Sequence, residues 1–401
     1  MNLLRANAAF RRLWLARFVS FLGDSLGLVA LIVYLARRTD SGAVVGLLLL
    51  AGDLTPALLA PVIGVVADRT EARRTLVACE LLQAAAVAAI VVLQPATALV
   101  LVLVAIRSVV AGVFQATSRS IVAELVADDD LERANTILGF GTHGLEALGA
   151  LLAAALLLAV TARAVLAIDV ATFLVSPLLL ARLPKAHVVV EAGAGVLSDV
   201  RAGLDAVWQL PLVRTLALTF WTFALFTAAD DVALPFLGRH DFGTGDAGVS
   251  MLYAGGGIGV VIGLLLLGRR AAAPFAIAMA GLALSGAGNA LTGVAPAVTV
   301  AFAMQSVRGI GNAWVGVGTD TLVQRVAPRA VRGRVFANVY GGVGIAAGAS
   351  YLVGGPLVDA VGPRAVLGVG GVCGLACAAI AAWVSRSRAM RTPPSPTAPS
   401  P

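Results

Sequence analysis

Gly64-Val65-Val66-Ala67-Asp68-Arg69-Thr70-Glu71-Ala72-Arg73-Arg74 is a charged interruption between two long apolar runs, Gly42 to Ala67 and Thr75 to Leu93. Read as a turn between two helices at a membrane surface, it puts Asp68 at a helix end. Arg69, Arg73 and Arg74 then fall at headgroup level, where cationic side chains are favoured. Two roles are open for the stretch: a basic anchor at the membrane surface, or a contact that ties neighbouring helix ends together. Either role makes the flanking runs membrane spans, and the rest of the chain follows the same plan.

The chain has 401 residues, of which 59% are hydrophobic and only 13% charged. No soluble fold buries so large an apolar fraction, so the bilayer must be the main solvent. The net charge of +7 does not point to nucleic acid. Its arginines sit in short links between apolar runs, with no basic face and no aromatic platform, which suits lipid headgroups instead. Cys79, Cys373 and Cys377 are too few for a disulfide framework and read as small buried hydrophobes.

A span needs about 20 apolar residues. On that rule about twelve helices are expected, near 13–36, 42–66, 74–94, 96–118, 134–160, 163–182, 212–237, 247–268, 272–293, 296–318, 334–358 and 363–384. With the N-terminus inside, the outer loops hold only Arg37, Arg38, Arg163, Arg239 and Arg364, and most other basic residues fall inside. That asymmetry predicts cytoplasmic termini and a plasma (inner) membrane location. The expected division is a six-helix bundle over 1–183, a cytoplasmic linker over 184–211, a second six-helix bundle over 212–385 and a disordered tail over 386–401. In the linker, Val196, Leu197, Val200, Leu204, Val207 and Trp208 recur at helical spacing, which predicts an amphipathic helix in the cytoplasmic interface.

Gly64, Asp68, Arg69 and Arg73 match the pattern G-x-x-x-D-R-x-G-R-[RK], although Glu71 and Ala72 depart from it. In this the chain resembles major facilitator superfamily transporters, whose second and third helices are joined by such a loop. Phe10-Arg11-Arg12-Leu13-Trp14, Ser20-Phe21-Leu22-Gly23-Asp24, Leu131-Glu132-Arg133-Ala134-Asn135, Arg332-Gly333-Arg334-Val335 and Gly354-Gly355-Pro356-Leu357-Val358-Asp359 are similar to stretches of its twelve-helix drug and siderophore (macrolide-type) exporter branch. The resemblance implies an all-α membrane protein of twelve helices in two pseudo-symmetric six-helix bundles. It also implies that the first, fourth, seventh and tenth helices line a central cavity. The equivalent loop of the second half, Gly268-Arg269-Arg270, carries no acid.

Ionisable side chains well inside a span are costly and mark candidate sites. Asp24 lies about 18 Å along the first helix at 1.5 Å per residue, and Asp53 and Arg107 are comparably deep in the second and fourth. Asp24 and Arg107 are candidate partners, for substrate, for a proton, or as a salt bridge that fixes helix rotation. His143 and Glu146, at i, i+3 in the fifth helix, can exchange a proton or form a structural hydrogen bond. Asp230 and Asp231 adjoin in the seventh helix, and spacing alone does not separate which one faces the cavity. By resemblance Arg308 faces it from the tenth. Asp169 and Glu80 belong to helices that usually pack outside and are expected to be structural; Arg17 is expected to snorkel to the inner interface. Gly255, Gly259 and Gly263 form a small-residue stripe suited to close packing, in particular against the fifth helix.

These features describe a secondary active transporter that works by alternating access, with proton-coupled efflux of a small amphipathic compound such as an antibiotic or siderophore as the first reading. Uptake or uniport of a nutrient or lipid, and a transport-inactive sensor, are the alternatives. No H-E-x-x-H, catalytic triad or phosphate-binding loop is present, so neither an enzyme nor ATP-driven transport is expected. The expected partners are a small-molecule substrate, protons and the lipid bilayer, with no cofactor, no metal and no nucleic acid, for a monomer.

Overall fold

A computed structural model describes residues 2–127, 130, 134, 137, 138, 148, 149, 151–184, 196–267, 273–328 and 331–389. Among these the chain is helical, with no strand. A short α1 (Asn2–Ala6) leads into α2 (Ala8–Thr39), α3 (Gly42–Leu58), α4 (Ala60–Arg69), α5 (Ala72–Leu93), α6 (Thr97–Ser120) and α7 (Val122–Leu125). The described part of the fifth span, α8, covers 151–159, and α9 (Ala162–Leu180) closes the first half. The second half holds α10 (Val196–Gln209), α11 (Pro211–Thr227), α12 (Asp230–Phe236), α13 (Gly245–Leu267), α14 (Pro274–Gly293), α15 (Val298–Val326), α16 (Arg332–Val361) and α17 (Pro363–Ala389). Among the described residues, nine helices are long and apolar enough to cross a membrane. Their outer faces expose side chains such as Leu93, Leu265 and Trp383, as a lipid-facing surface does.

Two expected spans are broken. Pro56 and Pro61 lack the N–H that a continuous helix needs, and the second span divides at Leu59 into α3 and α4. The seventh divides at Ala228–Ala229, and the Ala229 N–H freed there donates to Ser350 Oγ of α16 at 3.0 Å. Pro235 leaves the Asp231 carbonyl without its helical donor, and the Tyr253 hydroxyl donates to that carbonyl at 3.1 Å. A π turn, Leu237–Asp241, follows.

The linker helix α10 forms over the expected residues, but it docks on α11 and α16 instead of lying free on lipid. Its Val207 joins Val213, Val335 and Val339 in one buried cluster, while Trp208 stays exposed. The glycine stripe of α13 faces α15; most of the fifth span lies outside the described residues. A methyl group at Gly259 would collide with the Ser306 carbonyl, so side-chain-free backbone is required there.

The apolar core is distributed unevenly. At the end that carries Gly42 and Asp359, Leu31, Leu35, Val45 and Leu48 of the first half and Leu234, Phe236, Tyr351 and Val358 of the second belong to one cluster. At the other end the halves keep separate cores. One gathers Phe10, Leu13, Ile63, Leu76, Phe114 and Leu180, and another Leu216, Met279 and Leu322. Among the described residues the halves are therefore joined at one end, with a cleft between them at the other.

Candidate functional site: two charged centres and a closed rim

In the first half α2 and α6 bring Asp24 and Arg107 together, as the sequence suggested. Arg107 Nη2 donates to Asp24 Oδ1, and the guanidinium lies over the Phe173 ring of α9 at 5.5 Å. The Asp24 side chain keeps 26% of its surface exposed against 11% for Arg107, so the acid is the member that solvent reaches. Arg17 does not snorkel: it is buried, bonded to Ser118 Oγ of α6 and stacked on Phe21 at 5.1 Å.

In the second half the break after α11 places Asp230 and Asp231 in the first turn of α12. Arg308 Nη2 of α15 reaches Asp230 Oδ2 at 2.7 Å and Asp231 Oδ1 at 3.4 Å. The ambiguity between the two acids is resolved by burial, since the Asp230 side chain is 4% exposed and that of Asp231 34%. Asp231 borders the open space, and Asp230 is held inside. Asn289 Nδ2 of α14 also donates to Asp230 Oδ2, at 2.7 Å. Gln305 Nε2 donates to Thr292 Oγ1 at 3.1 Å and to Asn289 Oδ1 at 3.5 Å. Asn289 and Gln305 carry no charge to mark them within their apolar runs; an amide in mid-span is the same signal at lower strength.

Asp53 is exposed on α3 and lies within electrostatic range of Tyr351, as do Asp230 and Asp231. Asp53 thus lies near the second charged centre, Asp230, Asp231 and Arg308. His143 and Glu146 lie outside the described residues, so the pair is not placed. Among the described residues no group of three or more His, Cys, Asp or Glu is placed to hold a metal.

The Gly64–Arg74 loop begins in α4 and ends in α5. Arg69 is exposed, a Cβ on Gly64 would meet nothing within 4 Å, and the same holds for Gly333 at the start of α16. The side chain of Asp68 lies outside the described ones. Glu71, which departs from the family pattern, holds Arg74 Nε at 3.1 Å and Arg73 Nε at 3.7 Å.

At the joined end the arrangement is tight. Asp359, near the C-terminus of α16, accepts the Gly42 N–H on Oδ1 at 2.6 Å and the Ala43 N–H on Oδ2 at 3.0 Å. Ser41 Oγ donates to Oδ2 at 3.1 Å, so the α3 N-terminus is capped by a carboxylate from the other half. Bare backbone at Gly42 and Gly355 permits the approach. Around it run Arg37–Asp246 at 2.9 Å, Arg364–Asp241 at 2.8 Å and His240–Asp40 at 3.0 Å. Nothing in residue spacing marks Asp359 as a partner of the second span.

Residues 13–337 and 232–401 match the family model described as Major Facilitator Superfamily. An uncharacterized MFS-type transporter, YfiS, of Bacillus subtilis (strain 168) is 23% identical over 376 residues, which cover 90% of this chain and 89% of the relative. Among solved structures, the nucleoside transporter NupG superposes with a TM-score of 0.71 at 13% identity, covering 94% of this chain and 99% of that one. A bacterial homolog of the human lysosomal transporter Spinster, inward-facing and occupied, gives 0.70 at 15% identity, covering 96% and 98%. The helical architecture, the charged centres on the first, fourth, seventh and tenth spans, and the family match agree: this chain is a multi-pass membrane transporter of the major facilitator superfamily.

Proposed function

We propose that the chain is a proton-coupled secondary transporter that exports a small amphipathic compound, such as an antibiotic or siderophore, across the plasma membrane. One observation carries the reading. Asp24–Arg107 in the first half and Asp231–Arg308 in the second are two charged centres, each with a partly exposed carboxylate. Such a carboxylate can take either a proton or a cationic group, and the two compete. The sequence motifs quoted above favour the exporter branch.

The basic residues favour cytoplasmic termini. In that orientation the joined end faces outward and the cleft opens to the cytoplasm, where an exporter collects its substrate. Residues 1–183 and 212–385 are the two rocking bodies, 184–211 the tether and 386–401 a tail. In the opposite state Asp68 would engage the start of α16, with Gly64, Arg69, Arg73 and Arg74 shaping the latch. The geometry of Asp359 on α3 supports this, because it is the same device at the other end of the same helix pair. The working unit is a monomer.

The test is movement of cationic, neutral and anionic fluorescent amphiphiles into everted vesicles, with and without a pH gradient. Gradient-driven accumulation is expected for at least one of them. Accumulation that ignores the gradient would remove the coupling, and movement only in the outward direction from everted vesicles would favour the uptake reading.

A further inference from the structure

Behind Arg107, inside the first helical bundle, lie two more carboxylates that the sequence assigned to structure. Asp169 of α9 and Glu80 of α5 are both 0% exposed. Among the described residues none of their four carboxylate oxygens has a hydrogen bond of full geometry, although the Thr172 hydroxyl lies near Asp169. Ser176, also fully buried and with its hydroxyl unpartnered, approaches Glu80, as does Ser20 of α2. The Asp169 oxygens lie against Gly23 and Gly27 of α2, where any side chain would collide with them.

The charges around this pair do not balance it. α9 packs on α2 and α5. From α2 come Arg17, which is bonded to Ser118, and Asp24, which is bonded to Arg107. From α5 come Glu80 and Cys79, and from α6 Arg107, whose second charged neighbour is Asp169. One guanidinium thus faces two carboxylates, Asp24 and Asp169, with Glu80 beside Asp169. An ionised carboxylate buried without a hydrogen bond or a counter-ion costs several kcal/mol. A proton on each acid beyond the first removes that cost.

We infer that Asp169 and Glu80 form a proton-binding site behind Arg107, loaded while Arg107 is paired with Asp24. When a proton or a cationic group takes Asp24, Arg107 turns to Asp169. The Asp169 carboxyl then becomes a carboxylate, and its proton leaves towards the cleft past Asp24, the exposed member of the chain. Glu80 stays protonated or passes its proton to Asp169 for a second release. This rests on the proton-coupled reading above.

The test is infrared difference spectroscopy of the full chain in lipid vesicles, titrated across neutral pH, following the carbonyl stretch of protonated carboxyls. Asp169→Asn and Glu80→Gln should each remove one component of that band and leave the unfolding temperature near wild type, because an amide replaces a neutral acid of similar shape. Asp24→Asn should move the Asp169 component to lower pH, since it frees Arg107. An unchanged band in both amide variants would overturn the site. So would a large fall in unfolding temperature, which is what an ionised structural carboxylate would give. Ethidium movement in everted vesicles separates the two readings. Gradient-independent movement would remove the coupling and leave the bands standing, whereas gradient-driven movement with unchanged bands would remove this site alone.

Discussion

Arg107 and Arg308 hold matching places on the fourth and tenth spans, yet their surroundings differ. Arg308 is clasped by Asp230 and Asp231 inside a set of amides and hydroxyls from Asn289, Gln305, Thr292 and Tyr253. Among the described residues Arg107 is hydrogen-bonded to Asp24, rests on the Phe173 ring and lies near Asp169, with Glu80 beyond it and few donors on either acid. A set tied by several hydrogen bonds holds its geometry, even though one guanidinium here faces two carboxylates and, among the described residues, Asp230 Oδ1 accepts no hydrogen bond. A carboxylate short of donors instead changes protonation when its neighbour moves. The contrast suggests that the second half contributes a rigid charged wall and the first half the part that titrates.

The strongest way to break this contrast is to remove each arginine. Arg308→Ala leaves Asp230 buried and unbalanced, a loss of about 3–5 kcal/mol for a broken buried pair. Arg107→Ala should cost clearly less stability, because Asp24 keeps contact with water. Flux should fall at least about a hundredfold in both, the equivalent of about 2.7 kcal/mol. Thermal unfolding in detergent and vesicle flux measure the two effects, and equal unfolding losses would erase the distinction.

Next in size, Asn289→Ala removes a donor from a carboxylate and should cost about 1–3 kcal/mol. The first half has no described amide in that role, so the effect is specific to the second. An unfolding temperature that does not move would show the network to be loose.

Asp359→Ala should shift the balance towards an open outer end by about tenfold or more, given charged hydrogen bonds worth about 1.5–3 kcal/mol each before compensation. Leu48→Cys, placed in the shared core, would report this by labelling with a membrane-impermeant maleimide. Labelling at the wild-type rate would demote Asp359 to a local cap. The smallest effect is expected from Arg37→Ala. Its pair with Asp246 is exposed and worth under about 1 kcal/mol, so labelling should rise less than about fivefold and less still in high salt. A larger effect than that of Asp359→Ala would reverse the order of importance within the rim.

Much of this was legible in the sequence for a simple reason. Apolar runs long enough to span, and charges stranded inside them, stand out one residue at a time. Asp24, Arg107, Asp230, Asp231 and Arg308 were found that way. What escaped depends on which way a helix is turned. Spans that are apolar nearly all round carry little 3.6-residue signal, so the contact of Gly259 with α15, the docking of α10 and the burial of Asp169 behind α2 could not be read. The break at Leu59 escaped because a proline is tolerated within a membrane helix, and the break at Ala228–Ala229 because no proline or glycine marks it. Asp359 escaped because its partner, the α3 N-terminus, lies 317 positions away in the chain.

The single core that joins the halves at the Gly42–Asp359 end also sets a thermal property. Parting that end must wet Leu31, Leu35, Val45 and Leu48 on one side and Leu234, Phe236 and Val358 on the other. Exposing apolar surface raises the heat capacity. The balance between a closed and an open Gly42–Asp359 end should therefore curve with temperature, with a closed form that weakens on cooling as the drive to keep those side chains dry fades. A transporter built this way carries a thermometer in its hinge.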